Sequence, residues 1–199
     1  MKEIKQEICR IMKKAHDMGM ITSRDGNLSY RMGNKFYITP SGVKKNCMDA
    51  ADIVEGEIRD GKIVLLDDKK PSGEFAMHKL LHELESSLND EAQAVLHLHP
   101  TYTIAAAYRG IDILKLCNDF PEITRYTKVG PTVEKLPICS DILAQKTKDF
   151  MTQYGTNLTS SIVVQMNHGV TAVGETPSHA FEHVERLEHI CKIALVSGL

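Results

Sequence analysis

The chain has 199 residues, enough for one domain with a closed hydrophobic core around a pocket. Apolar residues make up 42% and charged residues 25%, and a net charge of −2 leaves no basic face for nucleic acid or a membrane surface. The five cysteines are scattered, as expected for reduced thiols in a cytoplasmic protein, and no apolar run approaches the roughly 18–20 residues of a membrane span.

In chain order, Ile4, Ile8, Ile11, Met12 and Ala15 recur at helical spacing from Lys2 to about Met18, and Gly19 stops the run. This helix begins directly, so no leader peptide is expected. Strand-like pieces follow at Asn27–Arg31, Lys35–Thr39 and Ile53–Leu66, the last broken at Asp60-Gly61, and they predict an antiparallel meander. Ser72 is placed to cap a helix running from near Glu74 to about Glu85. Ala92–His99 reads as a buried strand and Tyr102–Tyr108 as a helix. The segment from Gly110 to Pro137, with Pro121 and Pro131 inside it, reads as a looser stretch beside a site. A helix over Asp141–Tyr154, strands at Ser161–Asn167 and Val170–Val173, and a terminal helix over Ser178–Ser197 complete the pattern. Helices before, between and after short strands predict one layered α/β domain over residues 1–199 with no interior linker.

The sharpest local signal is Val95-Leu96-His97-Leu98-His99-Pro100. Residues two apart on a strand share a face, so His97 and His99 project together, as half of a zinc site or as two unrelated histidines. A third ligand is available where a second apolar strand ends in Asn167-His168-Gly169, with the glycine expected to let the backbone turn sharply. Three histidines with a fourth position open fit a catalytic zinc site better than a structural one.

The remaining histidines give weaker signals. His78 and His82, and likewise His179 and His183, stand at i, i+4 spacing and read mainly as helix-surface or packing residues. His16 and His189 carry no signal. Glu74 is either a first-turn glutamate favoured by the helix dipole or a general acid/base near the metal. Gly26-Asn27-Leu28-Ser29, Thr39-Pro40-Ser41-Gly42 and Ser72-Gly73 are small polar turns able to cradle a phosphate through arrays of backbone N–H groups.

Taken in order, Gly26-Asn27-Leu28-Ser29, Ile38-Thr39-Pro40-Ser41-Gly42, Lys70-Pro71-Ser72-Gly73-Glu74, His97-Leu98-His99 and Asn167-His168-Gly169 resemble the class II aldolase/adducin-head family. The match is strongest to its fuculose-phosphate and rhamnulose-phosphate aldolase branch. The resemblance implies a three-layer α/β/α fold around a mostly antiparallel sheet, assembled as a homotetramer with sites at subunit interfaces. It implies that His97, His99 and His168 bind Zn²⁺, that Glu74 is the catalytic acid/base, and that Asn27, Ser41, Gly42, Ser72 and Gly73 hold the substrate phosphate. Relatives place a second hydroxyl residue where Gly73 stands. Glu122 and Tyr126 are the candidates for the tyrosine or second glutamate that relatives carry before the last ligand strand.

The activity implied is reversible cleavage of a ketose phosphate to dihydroxyacetone phosphate and an aldehyde through an enediolate. A 3-oxo-tetronate phosphate decarboxylase or a methylthioribulose-phosphate dehydratase on the same metal site is the alternative. A 4-epimerase is less favoured, because the relatives compared carry Asp at the position of Glu74. A non-catalytic adducin-like module is disfavoured by the complete histidine set.

Overall fold

The computed structural model describes residues 2–89 and 91–198. Its first helix, α1 (Lys2–Asp17), buries Ile8, Ile11, Met12 and Ala15 along one stripe. Gly19, with φ of 71°, ends it, and Met20 donates back to the Ala15 carbonyl at 2.9 Å.

A meander follows, made of β1 (Asn27–Met32), β2 (Lys35–Ile38), β3 (Val54–Arg59) and β4 (Lys62–Leu65). The chain then runs through α2 (Phe75–His82), α3 (Glu85–Asn89), β5 (Ala92–Leu98), α4 (Thr101–Tyr108), α5 (Ile113–Asn118) and α6 (Pro121–Tyr126). It closes with α7 (Asp141–Thr152), β6 (Ile162–Gln165), β7 (Gly169–Gly174) and α8 (Pro177–Ser197). Among the described residues all strands join one antiparallel sheet in the order β4-β3-β2-β1-β5-β7-β6.

Alternation along β5 divides the core between the two faces of this sheet. Ala94, Leu96 and Leu98 belong to the larger cluster, with Ile8 and Ile11 of α1, Ala106 of α4 and Phe181 and Leu187 of α8. Val95 points the other way, into a cluster with Met77 and Leu81 of α2 and Leu143 and Met151 of α7. The sheet therefore lies between two helical layers, which is the α/β/α arrangement expected from the sequence.

Three local expectations need correction. The helix expected from Glu74 to Glu85 stops at His82, where the Glu83 carboxylate turns to accept the Ile63 N–H at 2.8 Å and pairs with Lys62. Ser72 lies three residues before the first helical residue, so its hydroxyl meets Glu74 N at 3.3 Å while its carbonyl accepts from Phe75. The segment from 110 to 137 is not uniformly loose. Asp112 caps α5 through Lys115 N at 3.0 Å, Pro121 takes the first turn of α6, and Ile113, Leu116 and Ile123 bury against the core. The prolines there start structure as well as break it.

Candidate metal centre and active site

Residues facing each other across an antiparallel sheet share a face. Asn27, His97 and Thr171 form such a row across β1, β5 and β7, on the side covered by α2 and α7. His97 is fully buried, and its Nδ1 lies 3.3 Å from the Thr171 hydroxyl, which leaves Nε2 to face His99 Nε2 at 2.8 Å. His99 follows one residue beyond the end of β5.

His168 sits in the tight turn between β6 and β7, whose closing pair is Gln165 and Gly169. The left-handed residue of that turn is Asn167, with φ of 58°, a conformation that asparagine tolerates. Gly169 is there for space. A Cβ on it would lie 2.8 Å from His99 Cδ2 and collide with the Leu98 carbonyl. The sharp turn is thus made by the asparagine, and the glycine lets β7 approach the two strand histidines.

The side-chain nitrogens of His97, His99 and His168 all lie within 4.8 Å of one another. Burial pushes all three imidazoles below their usual pKa, strongly for His97, where His99 and His168 add to the effect. Neutral imidazole is the form that binds a metal. Glu74 joins them, with Oε2 3.2 Å from His97 Nε2 and Oε1 3.6 Å from His168 Nε2. Among the described residues its Oε1 is buried with no hydrogen-bond partner, as is Nδ1 of His168. Burial raises the Glu74 pKa, while the hydrogen bond from Asn27 Nδ2 at 3.0 Å and the nearby His168 oppose the rise. Three neutral imidazoles converging beside an unpartnered carboxylate oxygen are the donor set a borderline divalent cation takes.

The three polar loops expected to hold an anion come together beside this group. Ser41 N donates to the Lys70 carbonyl at 3.0 Å, and Ser72 N to the Thr39 carbonyl at 3.1 Å, across a bridge between Pro40 and Pro71. Leu28 N meets the Thr39 hydroxyl at 3.2 Å. These N–H groups hold the loops to one another, so the expected cradle of backbone donors is partly used up. What remains around the cavity of about 230 Å³ includes Asn27, Ser41, Gly42, Ser72, Gly73, Glu74, His99 and His168.

Two cations in the same lining carried no motif in the sequence. Arg24 donates to the Gly42 carbonyl, and buried Lys45 donates to the carbonyls of Pro40 and Val43. Burial, then Arg24, lowers the Lys45 pKa. Cys139 also borders the cavity, and its Sγ lies 2.9 Å from where a Cβ at Gly73 would stand. Glycine at 73 leaves the thiol its place. Glu122 and Tyr126 lie on α6 and are absent from this lining; Tyr126 is instead half exposed with Arg125 and Arg186 against its ring.

His78 and His82 are not on a helix surface. Both are fully buried and bonded to the polar face of β1. His183 is also buried, with Nδ1 2.8 Å from the Thr127 hydroxyl, while the His179 ring lies tilted against it with ring centroids 4.6 Å apart.

Residues 6–195 match the family described as Class II Aldolase and Adducin N-terminal domain. The chain belongs to this family. It is 29% identical over 188 residues to an L-fuculose phosphate aldolase of Methanococcus maripaludis, covering 94% of this chain and 92% of that protein. A 3-oxo-tetronate 4-phosphate decarboxylase of Cupriavidus necator is 31% identical over 134 residues, 64% of this chain and 56% of that protein. The fold matches a solved sugar-phosphate aldolase from Thermotoga maritima with a TM-score of 0.79 at 23% identity, covering 99% of this chain and 97% of that one. The chain is accordingly an enzyme of the class II aldolase type, a metal-dependent lyase class for which the three histidines can bind the metal.

Proposed function

We propose that the chain is a zinc-dependent sugar-phosphate aldolase that cleaves a ketose phosphate to dihydroxyacetone phosphate and an aldehyde. The observation that carries this reading is Glu74, tied by Asn27 at one oxygen and set against three converging imidazoles at the edge of a polar cavity. His97, His99 and His168 are the metal ligands in this reading. A cation held there would supply Lewis acidity to the substrate.

The other roles fall to the chain's own groups. Asn27, Ser41, Gly42, Ser72 and Gly73 hold the phosphate, and the positive charges of Arg24 and Lys45 border the same cavity. In the cleavage direction the hydroxyl on the departing carbon loses its proton to solvent as the carbon–carbon bond breaks, and Glu74 gives a proton to the carbon from which the aldehyde has left; in condensation Glu74 removes that carbon proton and the new alkoxide takes one from solvent. Oε1 is the oxygen for this step, since Oε2 is held by Asn27. The domain spans the whole chain and works as a cytoplasmic homotetramer.

The test is exchange of deuterium from heavy water into the carbinol carbon of dihydroxyacetone phosphate, followed by NMR with and without a chelator. Chelator-sensitive exchange is expected. Glu74→Gln should keep its metal and lose about 10²–10⁴ of the exchange rate, the usual range for a general acid/base. Full activity in that variant would sink the role of Glu74. His97→Ala should lose metal and activity together, and a variant with full zinc would reject that ligand.

The identity to the Cupriavidus necator protein favours a second reading, decarboxylation of a 3-oxo-tetronate phosphate. Zinc-loaded protein that exchanges no deuterium but releases carbon dioxide from that acid would decide for it.

A further inference from the structure

Helical spacing alone gives His78 and His82 no task, and their surroundings supply one. Asn27 and Ser29 point to the same face of β1, two residues apart, while His78 and His82 are one turn apart on α2. The two spacings match, so the strand and helix meet in two polar rungs. Ser29, His78 and His82 are fully buried and Asn27 nearly so.

The direction of each hydrogen bond follows from what each atom can do. Asn27 Nδ2 donates to Glu74 Oε2 at 3.0 Å, so the amide oxygen faces His78 Nε2. An amide oxygen only accepts, and His78 therefore carries its proton on Nε2. Burial drives the His78 pKa down to about 3, so the ring is neutral and Nδ1 is bare. That nitrogen accepts the Ser29 hydroxyl proton at 2.6 Å. The Ser29 oxygen in turn accepts from His82 Nε2 at 2.8 Å.

We infer that His82, Ser29, His78 and Asn27 form a one-way hydrogen-bond chain whose donors all point at Glu74, and that His78 is a positioning residue for Glu74. The inference rests on the reading of Glu74 as the acid/base. With the Asn27 oxygen held by His78, the amide cannot rotate to face Glu74 with its oxygen. Oε2 therefore always receives an N–H, and Oε1 is left as the atom that handles the proton. Each donor in such a series polarises the next, so the chain strengthens the final bond at the carboxylate. Asn27 has two tasks: one amide hydrogen is committed to Glu74, and the other is left for the substrate phosphate.

The first test needs no turnover. Long-range ¹H–¹⁵N NMR of the zinc-loaded protein, labelled at histidine, should show His78 and His82 as neutral Nε2–H tautomers at about pH 7. An Nδ1–H tautomer at either ring reverses the chain and overturns the inference.

The second test separates positioning from support. His78→Phe should keep zinc content and KM while kcat falls about 10–100-fold, the usual loss when a group orienting a reactive side chain is removed. His78→Gln, which can still donate to Asn27, should recover most of that loss. A His78→Phe enzyme with kcat within about threefold of the parent, beside a Glu74→Gln enzyme that is dead, would also overturn the inference. If the phenylalanine variant does not fold, Ser29→Ala breaks the middle link at a smaller volume cost and is judged by the same split between kcat and KM. An active Glu74→Gln enzyme would defeat the acid/base reading instead, and the tautomers would still decide the chain's direction.

Discussion

Helices α2 and α8 each carry two histidines one turn apart, and in the sequence the two pairs look alike. Their settings differ. His78 and His82 face Asn27 and Ser29 of β1, and the contacts lead to Glu74. His183 bonds instead to Thr127, just past the end of α6, and lies against the tilted ring of His179. Spacing decides which side chains share a face; the element opposite decides whether they are wired to a site or simply packed. The pair on α2 is a relay and the pair on α8 a joint between helices.

The largest effect should come from breaking the relay at its active end. Asn27→Leu removes both the donor to Glu74 Oε2 and the acceptor of His78, so kcat should fall by about 10²-fold or more, within the range of a lost acid/base function. His183→Gln, at the matching place on α8, should leave kcat and zinc content unchanged and lower only the melting temperature. Steady-state kinetics and metal analysis of the two proteins side by side check this. Equal losses of kcat would mean that the two pairs do not differ as described.

A middle-sized effect should appear in acid. His78 and His183 are neutral in the native state, held to pKa values of about 3 and about 4, mainly by burial. Unfolded, each titrates near the ordinary histidine value of about 6.5. Below that pH the unfolded chain binds the extra protons, so stability present above about pH 6.5 is lost as pH falls towards these folded values. Melting temperatures should therefore drop between about pH 7 and pH 4.5. His183→Gln should flatten the part of that slope above about pH 4. An unchanged slope in His183→Gln would show that this ring takes up its proton alike in the folded and unfolded chain.

How much of this was legible in the sequence depends on the range of the contact involved. His97 and His99 were readable because the strand period alone puts them on one face. The meander, α1 and the layered class were readable for the same reason. The union of the 39–42 and 70–73 loops was not, since it depends on a bridge between Pro40 and Pro71 across the intervening hairpin. The position of His78 and His82 was not readable either. Helical spacing gave their common face, but only the pairing of β1 beneath α2 shows that the face is polar and buried. A glycine after a strand suggests a turn residue, yet the space-making role of Gly169 needs the approach of β7 to His99. Lys45 and Arg24 were invisible because a cation beside a loop has no period.

The smallest effect sharpens the view of α8 as support. Glu188, further along that helix than His183, accepts from Tyr102 N at 2.9 Å, from Thr103 N at 2.8 Å and from the Thr103 hydroxyl at 2.8 Å. Its carboxylate caps the N-terminus of α4, where Pro100 stands at the cap position and has no side-chain oxygen to offer. That helix starts just past His99, so the cap steadies the chain leaving the strand histidines without touching the cavity. Glu188→Ala should cost about 0.5–2 kcal/mol of stability, the range for a lost helix cap, measured by urea unfolding at unchanged slope. Zinc content and kcat should stay near the parent's, because Glu188 contacts the α4 backbone and Thr103 rather than any of the three imidazoles. A loss of zinc out of proportion to the loss of stability would mean that α8 reaches the metal centre through α4, and the distinction drawn between α2 and α8 would then fail.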